Sequence, residues 1–421
     1  MKPVKRPGTA GRARTRTPPA VIPLPVAVSP SDEGGIPQVV LKPHEDRRVR
    51  RGHLWIFSNE IASAPPELEP GAVVRFVTAR GDLLGGGFYH PRSLIAGRLL
   101  DREDVRPDAG FFEGRLRAAM ELRRRLFSDD AWRWIHGESD DLPGLVVDRY
   151  GDAVVVESFC AGMDLCLEPL IAAIKSLGEW KAVVVKNDAG LRRLEGLADR
   201  VEVVHGTLDR PHWFTVDGLR LAADLVEGQK TGFFFDQRVN RRATAALARD
   251  ARVLDVFCHT GGFGLAAAAA GAKSVVGVDE SEPALDLART AARENGFAEK
   301  ARFERADAFE FLAADKGTYD VVVVDPPKFA PSKKHLPRAI EAYIRLNGLA
   351  MRRVSGGGFL ATASCSQHVD RETFRQILSR ASQAAGRRAR VIQWGGASPD
   401  HPVRLAMPET DYLKFALVHI A

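Results

Sequence analysis

From about residue 211 onward, short apolar runs alternate with Ala-rich stretches of helical period. "RVLDVF", "SVVGVD", "ARFERA", "DVVVVDPP" and "GGFLATAS" are each followed by such a stretch. Strands buried on both faces and joined by crossover helices form βαβ units on a parallel sheet. "ARVIQWG" and "DYLKFALVHI" read as two closing strands, so this half is predicted to be a doubly wound, Rossmann-like α/β domain. Upstream the period changes. "AVVRFV", "LLGGGFY" and "LIAGRLL", between Gly71 and Leu100, are β-prone runs separated by "ARGD" and "HPRS" turns, which predicts a small β-barrel or meander. Over 111–127, Phe112, Leu116, Ala119, Leu122 and Leu126 recur at helical spacing with arginines opposite, predicting a connecting amphipathic helix. "GLVVDRY" and "AVVVESF" flank a Gly-Asp turn as a hairpin, and a helix near 163–176 and the strand "AVVVKN" complete a small α+β module. The expected division is a disordered basic tail over 1–37, a β domain over 38–112, a central α+β domain over 113–205 and the α/β domain over 206–421.

Length supports this division, since 421 residues exceed one typical core. Charge adds one refinement. The chain carries 60 Lys and Arg against 54 Asp and Glu, and six of the basic residues with no acid lie in residues 1–20. The whole surplus of +6 therefore belongs to the tail, which would add salt-sensitive affinity for a polyanion, or would simply be solvated. Its Arg-rich start is similar to an organelle transit peptide, but its Pro and Gly would break the amphipathic helix such peptides use. No apolar run is long enough to span a membrane, and the four cysteines show neither zinc-site nor disulfide-framework spacing. A cytoplasmic protein without a metal is expected.

In a doubly wound sheet, ligands bind at the carboxyl ends of the strands, near the switch point. There the first strand reads "LDVFCHTGGFG", with Asp255 in the strand and Thr260, Gly261 and Gly262 in the turn. Glycines let a ligand approach the backbone and the amides of the following helix. Asp279 ends the second strand, where an acid can hold ribose hydroxyls, and Asp307 ends the third, beside an adenine edge. Each acid alone could be a helix cap; three at successive strand ends favour an adenosine-containing cofactor. The order of Gly-rich turn, acid, acid and "DPP" resembles class I S-adenosylmethionine-dependent methyltransferases. Upstream, "EGQKTGFFFDQRVNRR" resembles the segment that an RNA-methylating branch of these enzymes lays over the cofactor, through Gln229, Lys230, Thr231, Gly232, Phe234, Asp236 and Arg238.

In "VVVVDPPKF" the prolines stiffen the turn and fix where Asp325 and Lys328 point. Amino-group methyltransferases commonly have an aromatic residue where Lys328 stands, which argues against adenine-amine chemistry. Cytosine C5 is too weak a nucleophile to take a methyl group directly. A thiolate added to C6 turns the ring into an enamine that can. Cys365, in "SCS" after the strand that follows DPP, would face the same crevice. Its thiol needs a basic neighbour or a helix N-terminus, with Lys328 and the helix starting near Asp370 as candidates.

Together "GHLWIFSNEI", "GESDDLPGLVVDRYGDAVVVES", "QKTGFFFDQR", "DVFCHTGGFG", "VVDPPKF", "SCS" and "DHPVRLAMPETDYLK" resemble the bacterial large-subunit ribosomal RNA (cytosine-C5) methyltransferase family with an N-terminal PUA domain, across residues 38–421. The resemblance implies a PUA RNA-binding barrel, a methyltransferase using S-adenosylmethionine, Cys365 as nucleophile and Asp325 on the cytosine edge, also bordering the cofactor. The substrate would be ribosomal RNA presenting a single-stranded or flipped-out cytosine; a homodimer is left open. Many RNA 5-methylcytosine enzymes carry a second cysteine where Lys328 stands, so the base that removes the C5 proton is not identified. Rival readings are a ribosomal RNA guanine methyltransferase, an inactive PUA-type RNA-binding assembly factor and, third, a nicotinamide dehydrogenase.

Overall fold

The structure, a computed structural model, describes residues 35–330 and 332–421; the basic tail expected over 1–37 lies outside the described residues up to position 34. The first described unit is a six-stranded sheet in the order Trp55–Phe57, Ile95–Asp101, Leu83–Tyr89, Ala72–Val77, Gln38–Leu41, Ile61–Ser63. Strand alternation sends Ile56 into the core with Val39, Val74, Phe76 and Leu99, and leaves Trp55 and Phe57 half-buried on the other face. There the Trp55 indole donates to Glu138 Oε1 at 2.8 Å and Arg48 covers the Phe57 ring.

The helix Ala109–Leu126 leads into a five-stranded sheet ordered Arg200–Gly206, Ala182–Asn187, Ala153–Ser158, Leu145–Tyr150, Ala131–His136. The hairpin read from "GLVVDRY" and "AVVVESF" is its centre, whereas the two outermost strands, "RVEVVHG" and "AWRWIH", were not among the expected elements. One face packs Trp132 and Trp134 against the helix; Tyr150, Val155 and Val184 on the other join the apolar core of the C-terminal half.

That half opens with the hairpin His212–Val216 and Leu219–Ala223, then builds a seven-stranded sheet. Its strands are β1 (Arg252–Val256), β2 (Ser274–Asp279), β3 (Ala301–Arg305), β4 (Tyr319–Val324), β5 (Val354–Ser364), β6 (Ala389–Gly395) and β7 (Lys414–Ile420). The order is β3-β2-β1-β4-β5-β7-β6, parallel except for β7, which runs antiparallel to both neighbours. Strand order reverses between β1 and β4, so the crevice at their carboxyl ends is where a ligand is expected.

Two buried fastenings join the halves. Arg238 is 1% exposed and lies over the Phe127 ring, its guanidinium shared between Asp129 of the middle unit and Asp217 of the hairpin. Removing it takes the guanidinium from Asp129 and leaves Asp217 to Arg242, so Arg238→Met is expected to lower unfolding stability by about 3 kcal/mol in urea titration. The segment after β6 makes the other fastening: Met407 is buried in the N-terminal core and Arg404 donates to Gly52 O, Glu138 O and Asp141.

Candidate active site

The turn after β1 is held in a costly conformation. Phe257 and His259 adopt φ of 63° and 49°, a region bulky side chains rarely occupy. The strain is held by the neighbouring strand: Cys258 N donates to Val278 O at 3.1 Å and His259 N to Asp279 Oδ2 at 2.9 Å. Asp279 Oδ1 accepts from Ser281 N, which fixes this carboxylate at the end of β2. Gly261 follows at φ 80° and begins the helix Gly262–Ala269, which no side chain caps. Asp255 accepts from Gly264 N with Oδ2, whereas its Oδ1 and the Thr260 hydroxyl are buried without a partner. Asp307 caps the helix after β3 by accepting from Glu310 N. Among the described residues, no group of three or more His, Cys, Asp or Glu could hold a metal ion.

Burial pushes the Asp255 carboxyl up to about 7. A raised acid stabilises the folded protein below its ordinary value of 3.8, and that contribution is lost as pH rises towards 7. Asp255→Asn keeps an oxygen for Gly264 N but cannot ionise. Its stability is expected to gain on wild type between about pH 4 and 7, by on the order of a few kcal/mol, then level off. Urea titrations at both ends of that window check this; a constant difference would refute it.

The segment 229–237 is laid over this turn by the middle unit. Buried Lys186 donates to the carbonyls of Gly228 and Lys230, Thr231 donates to Asp148, and Phe233 N donates to the Tyr150 hydroxyl at 2.9 Å. Gly232, at φ 126°, passes too close to Leu225 and Ala223 for a side chain. Gln229 and Lys230 are exposed; Lys230, at φ 49°, sets its ammonium 4.4 Å from the centre of the Phe234 ring, which meets His259 edge-on. Asp236 is buried, accepts from the Tyr412 hydroxyl at 2.6 Å and has an unpartnered Oδ1. Although burial opposes it, the neighbouring His401 and Lys230 side chains and the Tyr412 hydroxyl hold its pKa below the usual value.

Asp325 follows β4 and Cys365 follows β5, two adjacent parallel strands paired at Val324 and Thr362. Both serines of "SCS" are fully buried and structural. Ser364 and Ser366 bond the Tyr343 hydroxyl, at 3.0 and 3.1 Å, and Ser366 Oγ also accepts from Ala330 N of the DPPKF turn. Lys414 clamps the carbonyls of Ser366 and Tyr412. The flanking residues are pinned, and only the middle side chain, the Cys365 thiol, is partly open. Burial pushes this thiol up, and Asp325 adds to the rise; Lys230 pulls it down, ahead of Lys328. The helix Arg371–Ala385 is capped by Asp370, which accepts from Thr373 N, and this satisfies its end locally. Burial pushes Asp325 up to about 7, with negative Asp236 adding to it and Gln237 donating to Oδ1 at 2.9 Å.

These features match known proteins. Residues 201–376 match the family described as S-adenosylmethionine-dependent methyltransferase, and 39–102 match the PUA-like domain. Ribosomal RNA large subunit methyltransferase I of Alteromonas mediterranea is 37% identical over 385 residues, covering 90% of this chain and 97% of that protein. The protein of that name from Vibrio cholerae is also 37% identical, over 90% and 98%. The chain belongs to the ribosomal RNA large subunit methyltransferase I family. Among solved structures, a methyltransferase complexed with SAH superposes with a TM-score of 0.78 at 19% identity, covering 91% of this chain and 99% of that one. A methyltransferase from Streptococcus mutans gives 0.77 at 18%, with the same coverage. The cofactor of this family member is S-adenosylmethionine. The strained glycine turn, the fixed Asp279 and the orphaned polar atoms of Asp255, Asp236 and Thr260 fit it.

The sequence-selected residues lie in the segment 229–238 and after β1, β2, β3, β4 and β5, with two differences from expectation. Arg238 is turned away from the crevice and consumed by Asp129 and Asp217, because its place on the helix faces the domain junction. Lys328 is exposed beyond the prolines, and Lys230 bears more strongly on the thiol. Tyr412, Lys186 and Arg241 were not selected. The first sits in the quoted "DYLK", but its bond to Asp236 spans 176 residues, which no local pattern signals.

Proposed function

We propose that this protein methylates C5 of a cytosine in large-subunit ribosomal RNA through a covalent bond between Cys365 and cytosine C6. The observation that carries the reading is a thiol and a raised carboxyl at the ends of neighbouring strands, beside the cofactor turn. S-adenosylmethionine supplies the electrophilic methyl group. The chain supplies the rest. Cys365 sulfur adds to C6 and places an electron pair on C5, while protonated Asp325 donates to the ring nitrogen and draws that charge inward. After the methyl bond forms, the C5 proton leaves to a base and the thiolate departs, restoring the aromatic ring. The barrel and the neighbouring arginines would hold the RNA by shape and phosphate contacts, with the cytosine unstacked.

The name shared by the relatives in Alteromonas and Vibrio supports ribosomal RNA as substrate. Nucleoside mass spectrometry of unmodified large-subunit RNA after incubation with the protein and S-adenosylmethionine tests the whole reading. Appearance of 5-methylcytidine supports it; a methylated guanosine or adenosine in its place overturns it.

A further inference from the structure

We propose that the carboxylate at the amino-acid end of S-adenosylmethionine docks on Arg241, against the uncapped N-terminus of the helix Gly262–Ala269. The helix Arg238–Ala245 carries three arginines on neighbouring positions with different surroundings. Arg238 is saturated by Asp129 and Asp217, and Arg242 pairs with Asp217. Arg241 is 8% exposed, yet its Nε and Nη1 have no hydrogen-bond partner. Among the described residues no other guanidinium has two buried nitrogens in that condition.

A buried guanidinium without acceptors is costly, and proteins keep one chiefly where a ligand completes it. Its position says which ligand. The guanidinium lies over the Phe233 ring at 4.2 Å and 5.6 Å from that of Phe263, between the cofactor segment and the glycine turn. A Cβ built on Gly262 would stand 2.7 Å from Arg241 Nε, so the guanidinium crosses the helix end close to its backbone. An anion held there would meet a guanidinium fork and the positive end of the helix together. The acidic groups acting on Arg241 are Asp236, Asp325, Asp255 and Asp217. Asp236 Oδ1 and Asp255 Oδ1 are themselves unpartnered acceptors. Unfilled donors facing unfilled acceptors suit a group that carries a carboxylate and an ammonium on one carbon, which is the amino-acid end of the cofactor.

Titration calorimetry on the full chain with S-adenosylmethionine and with its decarboxylated analogue, which lacks only this carboxylate, tests the assignment. Wild type is expected to prefer the intact cofactor by about tenfold or more. Arg241→Gln should lose most of that preference by weakening only the intact cofactor, and Arg241→Lys should retain part of it. Equal affinity of wild type for the two compounds overturns the proposal, whatever the variants do. So does an Arg241→Gln protein that binds both more weakly by the same factor, because that pattern marks a purely structural residue. If Arg241→Gln does not fold, Arg241→Lys is read in the same way, and an unchanged preference there with equal losses for both compounds refutes the assignment.

Discussion

Cys365→Ala is expected to reduce methyl transfer to ribosomal RNA by at least about 10³-fold while leaving S-adenosylmethionine binding within about twofold of wild type. The separation follows from where the thiol sits. The turn that carries it is held by Ser364, Ser366, Tyr343 and Lys414, none of which touches the sulfur through a hydrogen bond, so removing one atom leaves the turn in place. The cofactor turn belongs to β1 and β2, on the other side of β4. Cys365→Ser keeps the shape but offers a hydroxyl that adds poorly to C6, and it should be as inactive as alanine. RNA carrying 5-fluorocytidine gives a positive counterpart. Fluorine at C5 cannot leave as a proton, so wild type should become linked to that RNA and Cys365→Ala should not. A Cys365→Ala protein that still methylates would return the residue to the role of a buried hydrophobe.

The α/β half was legible because its central strands are runs of apolar residues, "VVVV" in β4 being the extreme, and each strand from β1 to β5 is followed by a turn and a helical period. The site was legible where a local signal marks it: glycines before a helix, acids at strand ends, prolines after Asp325. It was not legible where the chemistry depends on distant partners. Lys186 reads as part of a strand, yet its ammonium carries the cofactor segment some 42 residues away. Arg238 and Arg241 are three residues apart in the same motif, and only the fold shows that one is consumed by Asp129 and the other left with unfilled donors. The activating charge was legible only in part for the same reason: Lys328 does favour the thiolate. Lys328 is near Asp325 in sequence, but Lys230, reaching in from another element, acts more strongly on the thiol. The isolated hairpin at 212–223 escaped because its two strands bury their faces against the middle unit and the helix Glu282–Glu294 rather than in the main sheet.

Asp325→Asn is expected to move two observables in opposite directions: methyl transfer falls by about 10²-fold, and alkylation of Cys365 by iodoacetamide at pH 8 becomes about threefold faster. Burial and the negative charge of Asp236 push the Asp325 carboxyl up to about 7, while burial and Asp325 itself push the thiol above its ordinary value. The reactive arrangement holds one proton across the pair, on the carboxyl, with the sulfur bare. Between about 7 and the raised thiol value the pair holds one proton, mostly on the sulfur, and the reactive form is the minor tautomer with that proton on the carboxyl. Its population follows the one-proton state, so the wild-type rate should rise through pH 7 and fall at the alkaline end. Asparagine can donate from its amide but carries no charge. The thiol then loses the neighbour that opposed its ionisation, which accounts for faster alkylation, and the alkaline fall disappears because no acid remains to lose its proton. Slower transfer with unchanged alkylation would mean that Asp325 shapes the pocket without acting on the sulfur. Lys230→Ala supplies the opposite sign: removing the cation that favours the thiolate should slow alkylation, even though the side chain is exposed and its loss leaves the fold intact.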